Sequence, residues 1–176
     1  VYATDSAGAL LPDGVRQRVG LLKEKLSIPV GFHSHNNLGL AIGNSLAAIE
    51  AGATYIDGSL GGLGAGAGNT ATEMLTAVLE RANIPTGIDL FGIMDTATQV
   101  LQPIISSLGV TLPKTQDAMM LGYAGVYSSF MLHARRAAER FGVDYRKIII
   151  TAGERSAVGG QEDWLYRIAR EIAESK

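Results

Sequence analysis

The chain has 176 residues, 47% of them hydrophobic, and carries a formal net charge of −2. It contains no cysteine, which excludes disulfides and thiolate metal sites, so any bound metal must use nitrogen and oxygen ligands. The balanced charge gives no reason to expect nucleic acid or a membrane surface as a partner, and no apolar run approaches the roughly 20 residues of a membrane span. No signal peptide is visible, so we expect a cytoplasmic enzyme. Because a strand pattern begins at residue 1, we also expect a longer natural polypeptide.

The first half of the chain alternates strand and helix patterns. Short apolar strands are predicted over residues 1–4, 29–32 and 54–60, each followed by a helical pattern, at 14–26, at 38–49 and from residue 70. Such an alternation predicts parallel strands with helices packed outside them. The predicted fold class is therefore α/β.

Polar residues cluster where these strands end. The first strand runs into Asp5 and Ser6, the second into His33-Ser34-His35, and the third carries Asp57. Ligands of parallel β/α folds gather at the carboxyl ends of the strands. This shared edge is therefore the predicted functional site.

His33 and His35 are the strongest candidate ligands. Side chains two apart on a strand share a face, so the two imidazoles are expected to point the same way and to supply half of a metal site. The alternative is a pair of hydrogen-bonded strand histidines. Asp5 and Asp57 are nearby candidates for a carboxylate ligand, but each could equally cap a helix or hold a loop.

The glycine-dense stretch 61–69 lacks the lysine of a phosphate-binding P-loop. One interpretation of the stretch is a phosphate cradle, but the pattern favours a tight turn where backbone passes close to a ligand or a neighbouring helix. Directly after it, Thr70 and Glu73 match a capping box at the start of a helix.

The second half is predicted to be mostly helical. Helical patterns cover residues 90–107, then 117–141 with an interruption near 122–125, and finally 161–174; a break lies at 109–113, and 147–151 fits either a strand or a helix start. Tyr123 and Tyr127 would share one face if their segment is helical, with core packing as the simpler reading. We place the boundary between a β/α domain, 1–85, and a helical domain, 86–176, near residue 85.

Five blocks of sequence closely resemble the 4-hydroxy-2-oxovalerate aldolases, and the resemblance spans the whole chain. The blocks are VYATDSAG (1–8), HSHNNL (33–38), GLGAGAGN (62–69), GYAGVYSS (122–129) and VGGQED (158–163). These aldolases belong to a wider group of metal-dependent TIM-barrel lyases. The resemblance implies the last three β/α units of a TIM barrel, followed by a mostly helical C-terminal domain.

The resemblance also implies a class II aldol cleavage of 4-hydroxy-2-oxopentanoate to pyruvate and acetaldehyde, in the catabolism of aromatic hydrocarbons. A divalent ion, usually Mn²⁺, would be held by His33 and His35, with His33 also near the substrate. Ser6 matches the family serine that contacts substrate, and Tyr127 best matches the substrate-side tyrosine, with Tyr123 as the other possibility. The helical domain resembles one that docks an acylating acetaldehyde dehydrogenase, which receives the aldehyde through a channel in a hetero-oligomer.

One departure from the family is decisive for this chain. The family's third metal ligand, an Asp, lies with a catalytic Arg in an Arg-Asp-Gly motif at the first barrel strand, near the base His, and no such motif occurs here. We therefore expect no catalytic base within the chain, and we expect the chain alone to fold poorly and to be inactive. The alternatives are a metal-dependent barrel hydrolase and an inactive fragment that serves as an assembly domain.

Overall fold

The computed structural model describes residues 1–109 and 115–175. The first half consists of three β/α units, which confirms the predicted alternation. Their bounds are β1 Tyr2–Asp5, α1 Pro12–Lys25, β2 Gly31–Ser34, α2 Ala41–Glu50, β3 Tyr55–Ile56 and α3 Thr72–Arg81, with a 3₁₀ turn at Leu60–Gly62. The third strand is shorter than predicted. Beyond Asp57, whose N–H still bonds the Phe32 carbonyl, Ser59 pairs with Ala71 instead of with β2.

The three strands form one parallel sheet in the order β1-β2-β3. Its register sets Thr4 beside His33 and Phe32 beside Ile56, so the carboxyl ends of the strands meet at one edge. One face of the sheet is covered by α1 and α2, where Phe32 packs in a core with Val15 and Val19, all three 0% exposed.

The opposite face of the sheet is open. It carries Tyr2 and Tyr55, which are 45% and 55% exposed, on either side of Gly31 and His33. Within the described residues, β1 and β3 each have β2 as their one paired neighbour. A helix-covered outer face, an open inner face and two unpaired edges are the features of a section of a barrel wall.

The described part of the second half is helical. It comprises α4 Leu90–Asp95, a π-helical turn Thr96–Leu101, α5 Gln102–Ser107, α6 Thr115–Ala124, α7 Phe130–Phe141, α8 Tyr145–Glu154 and α9 Asp163–Glu174. The π-helical turn lies just before Pro103, which has no N–H to donate to the preceding turn. Apart from Gly109, the predicted break at 109–113 lies outside the described residues. None of the described helices has the length and apolar character required to cross a membrane.

Helices α6 to α9 enclose a second core. Phe130, Ile148 and Leu165 are 0% exposed and come from α7, α8 and α9. Helices α6 and α8 approach closely at Gly153, where an added Cβ would overlap the carbonyl of Ala124. The apolar run 147–151 is part of helix α8, and its residues Ile148 and Ile149 belong to this core.

The predicted capping box at Thr70 and Glu73 is wrong. Helix α3 begins at Thr72 with Ala71 at the N-cap and without a side-chain cap. The Thr70 hydroxyl lies 3.0 Å from the Ser45 hydroxyl, and the Glu73 carboxylate accepts the Gly61 N–H at 3.1 Å. Both side chains thus bond distant segments in place of their own helix end.

Helix α8 does have a side-chain cap. Asp144 accepts the N–H of Arg146 at 2.9 Å. The Arg146 side chain and then this backbone N–H lower the pKa of Asp144 from 3.8 to about 2. Because the pKa is depressed in the folded state, the stabilisation is present above about pH 4 and is lost as the pH falls towards 2.

Replacing Asp144 with alanine is therefore expected to cost about 1 kcal/mol at pH 7, with the Arg146 contribution reduced by solvent screening. Urea unfolding of the full-length protein, followed by the fluorescence of Trp164, measures this cost. The difference from wild type should shrink between pH 4 and pH 2. Asp89→Ala is the control, because Asp89 is an N-cap without a side-chain cap bond. A cost equal to that of Asp89→Ala would contradict the prediction.

Candidate metal centre

Two imidazoles lie side by side at the carboxyl edge of the sheet. His33 is on β2 and His35 follows the strand by one residue. Their ring centroids are 5.2 Å apart and the ring planes are inclined by 64°. The N–H of His35 bonds the carbonyl of Asp5 at 3.2 Å, which holds the pair against the end of β1.

Each imidazole is oriented by an oxygen at its Nδ1 atom. His33 Nδ1 lies 3.2 Å from Asp57 Oδ2, and His35 Nδ1 lies 3.2 Å from the carbonyl oxygen of Ala65. A carboxylate and a carbonyl can only accept, so both Nδ1 atoms carry a proton, and in the neutral form of each ring Nε2 then has a lone pair for a metal ion. Oxygen partners of this kind usually orient histidines that bind metals through their other nitrogen.

The two nearby carboxylates have other tasks. Asp5 is 4% exposed and accepts the N–H groups of Ala9 and Leu10 at 3.0 and 3.1 Å, so it holds the loop after β1. Asp57 orients His33 and lies beside Tyr2. Partial desolvation, and then the charge of Asp57, raise the pKa of Tyr2.

The histidine pair thus offers two candidate metal ligands. No group of three or more His, Cys, Asp or Glu side chains that could hold a metal ion occurs among residues 1–109 and 115–175. Two imidazoles whose Nδ1 atoms donate to oxygen fit a divalent ion through their Nε2 atoms. The open face of the sheet leaves room beside them for further ligands.

Ser6 lies at the same edge of the sheet as the histidines. It is half-buried in the turn in which the N–H of Gly8 bonds the Asp5 carbonyl at 3.1 Å. Its position directly after β1 places it one strand away from His33, in agreement with the expected shared edge.

The two tyrosines do not share a helical face. Helix α6 ends at Ala124, and Gly125 adopts a φ of +69°, so Tyr123 is on the helix and Tyr127 is beyond it. The ring of Tyr127 lies beside Gly159 and the residue is 43% exposed, whereas Tyr123 is 71% exposed. In the described part of the chain, no hydrogen bond or ring contact joins either tyrosine to the histidine pair.

The glycine loop 61–69 folds back over the strand end that carries the histidines. The carbonyl of Gly68 accepts the Asn36 N–H at 2.8 Å, and the Asn37 side chain accepts the Ala67 N–H at 2.7 Å. Most of the loop's N–H groups are bonded within the protein, which favours the tight-turn interpretation over a phosphate cradle. Asn69 Nδ2 donates to the Leu63 carbonyl, while its buried Oδ1 has no described partner.

Sequence reasoning missed the contacts of Asn37, whose side chain bonds both the Ala7 carbonyl and the Ala67 N–H. The available signals were its position two residues after His35 and the glycine-rich stretch later in the chain.

The three β/α units, with helices on one face of the parallel sheet, correspond to a section of a TIM barrel. The chain belongs to the HMGL-like family, whose model matches residues 1–100, and the model for the DmpG-like communication domain matches residues 114–174. Two similar proteins, from Brevibacillus brevis and Geobacillus genomosp. 3, are named 4-hydroxy-2-oxovalerate aldolase. They are 58% and 56% identical over 99% and 100% of this chain. The chain spans about half the length of these relatives, 50% and 51%.

Solved structures show the same fold. An HMG-CoA lyase from Acenitobacter baumannii, in complex with coenzyme A and 3-methylmalate, is 33% identical with a TM-score of 0.55, over 64% of this chain and 38% of the lyase. The carboxyl transferase domain of Rhizobium etli pyruvate carboxylase has a TM-score of 0.77 over 99% of this chain and 31% of that structure. At 15% identity, this second likeness concerns the fold alone.

Proposed function

We propose that this chain is part of a divalent-metal aldolase that cleaves 4-hydroxy-2-oxopentanoate to pyruvate and acetaldehyde. The observation that carries the proposal is the pair His33 and His35. Both Nδ1 atoms are hydrogen-bonded to an oxygen, which leaves both Nε2 atoms available to bind a metal ion. The names of the relatives, at 56–58% identity, supply the substrate class.

His33 and His35 would hold the ion through their Nε2 atoms, and we propose Mn²⁺. The ion supplies Lewis-acid stabilisation of negative charge that develops on substrate oxygen. Asp57 and the Ala65 carbonyl keep the two rings fixed during turnover. Ser6 would contact the substrate at the end of β1, and Tyr127 would line the aldehyde side.

The cleavage itself needs a base that takes the proton of the 4-hydroxyl. The C3–C4 bond then breaks, the electron pair of that bond remains on the pyruvate fragment, and a proton at C3 completes pyruvate. The base and the arginine that aids it are expected outside this sequence, as is the third protein ligand of the ion. The roles of the present residues are therefore to bind and to orient.

We propose further that residues 1–85 belong to the barrel and 86–176 to a helical domain that docks an acylating acetaldehyde dehydrogenase and passes the aldehyde to it. The match of residues 114–174 to a communication domain supports this proposal. So does the core of α6 to α9, which encloses its own apolar side chains and leaves the outer helix faces for a partner.

The first test is the intact mass of the natural protein, followed by an assay. A mass about twice 18.5 kDa is expected if the missing ligands belong to the same polypeptide. That protein, loaded with Mn²⁺, should release equal amounts of pyruvate and acetaldehyde, and removal of the metal with a chelator should stop the release. Hydrolysis of an ester or amide without pyruvate would support a barrel hydrolase instead. Dehydrogenase binding without metal binding would support an assembly domain.

A further inference from the structure

The side chain of Asn37 connects two loops of the site. It is 5% exposed, and both ends of its amide are used. Its Nδ2 donates to the Ala7 carbonyl at 3.0 Å, in the loop after β1, and its Oδ1 accepts the Ala67 N–H at 2.7 Å, in the glycine loop. Both contacts are 30 residues away along the chain.

The glycine loop held by Asn37 also orients a histidine. Two residues before Ala67, the carbonyl of Ala65 accepts the His35 Nδ1–H. On the other side, the loop of Ala7 contains Ser6. One buried amide therefore fixes the acceptor that sets the tautomer of His35 and the turn that carries Ser6.

The surrounding chain is packed tightly against Asn37. A Cβ on Gly66 would overlap Asn37 Oδ1, and a Cβ on Gly8 would lie 2.7 Å from the backbone nitrogen of Asn37. A Cβ on Gly122 of α6 would lie 3.1 Å from the Asn37 Cβ. The absence of side chains at three separate glycines is what lets three segments converge on one residue.

We propose that Asn37 is a positioning residue of the metal site, which acts through the glycine loop on His35 and through the loop after β1 on Ser6. This inference rests on the metal-dependent aldolase proposed above. Partners that orient a metal-binding histidine typically change metal affinity by about 10–100-fold when they are removed. Asn37 acts one step further out, on the loop that holds the oriented carbonyl.

The test measures Mn²⁺ binding to the full-length protein by the electron paramagnetic resonance signal of free Mn²⁺. Asn37→Ala is expected to raise the Kd for Mn²⁺ about 10-fold, the lower end of this range, and to increase amide hydrogen exchange in residues 61–69. The matched control is Asn44→Ala. Asn44 is a buried amide on α2 that donates to the Leu10 carbonyl at 2.8 Å, and no described hydrogen bond joins its side chain to the glycine loop. Its variant should lose similar stability but keep the Kd of wild type.

A second pair of variants covers the case in which Asn37→Ala does not fold. Gly66 and Gly39 have similar positive φ values, +65° and +73°, so alanine causes similar backbone strain at both. A Cβ at position 39 meets open space, whereas one at 66 displaces the Asn37 amide. Gly66→Ala should weaken Mn²⁺ binding and Gly39→Ala should not.

Equal Kd values for wild type, Asn37→Ala and Gly66→Ala would overturn the inference. So would a loss of affinity in Asn44→Ala or Gly39→Ala as large as in their partners, since a general loss of stability would then explain it. If the wild-type protein binds Mn²⁺ and both Asn37→Ala and Gly66→Ala bind it with the same Kd, only the role of Asn37 is refuted. A wild-type protein that neither binds Mn²⁺ nor releases pyruvate refutes the proposed function.

Discussion

Replacing His35 with alanine is expected to abolish metal-dependent pyruvate release by the full-length enzyme. The variant loses one of the two proposed imidazole ligands, the one whose ring donates to the Ala65 carbonyl. Metal-ion stabilisation of developing charge contributes several kcal/mol, so the rate should fall by about 10³-fold or more. Pyruvate release is followed with a lactate dehydrogenase coupled assay, and bound metal is measured by elemental analysis of the same samples.

His133→Ala is the matched control for this experiment. His133 is the third of the chain's three histidines and lies half-buried on α7, in the helical part of the chain. Its removal should leave both metal content and pyruvate release close to wild type. Wild-type rates in His35→Ala with added Mn²⁺ would remove His35 from the metal site.

Replacing Phe130 with alanine is expected to lower the free energy of unfolding by about 3–5 kcal/mol. The residue is 0% exposed at the start of α7 and belongs to the core with Ile148 and Leu165. The loss combines the removed apolar surface with the cavity that remains between three helices. A change of this size is a large fraction of the 5–15 kcal/mol that typically holds a protein folded.

Urea unfolding followed by Trp164 fluorescence reports directly on this core, because Trp164 packs against it. The control is Leu132→Ala on the same helix, where the side chain is 55% exposed and the change should stay within about 0.5 kcal/mol. Similar midpoints for the two variants would show that the core of α6 to α9 is less closely packed than the structure indicates.

The histidine pair and its position could be predicted from sequence because the signals are local. Side chains alternate along a strand, so His33 and His35 had to lie near one another, and the β/α alternation set the strand ends at one edge. The interruption of the helix near residues 122–125 was also predicted from the glycines there. In the structure the helix ends at Ala124, and Gly125 takes a positive φ that favours glycine.

The partners of polar side chains could not be predicted in the same way. Sequence alone left Asp5 and Asp57 as possible ligands, and the structure shows one holding a loop and the other orienting His33. The predicted capping box was wrong for the same reason, because the Glu73 carboxylate accepts the N–H of Gly61 rather than one at its own helix end. Local sequence indicates which hydrogen-bond partners a polar side chain can have nearby. The packing of distant segments decides which partner it bonds.

By itself, the sequence determined the parallel β/α order, the mostly helical second half and the two imidazoles at a strand end, since each follows from periodicity within a few residues. Only the tertiary structure decided the open face of the sheet, the tautomers of the two histidines and the place of Asn37 between two loops. The His35 tautomer and the place of Asn37 depend on groups 30 residues apart in the chain. These groups meet because glycines allow the backbone segments to approach closely. Such contacts leave no periodic pattern in the chain, and they fix how the candidate metal ligands are held.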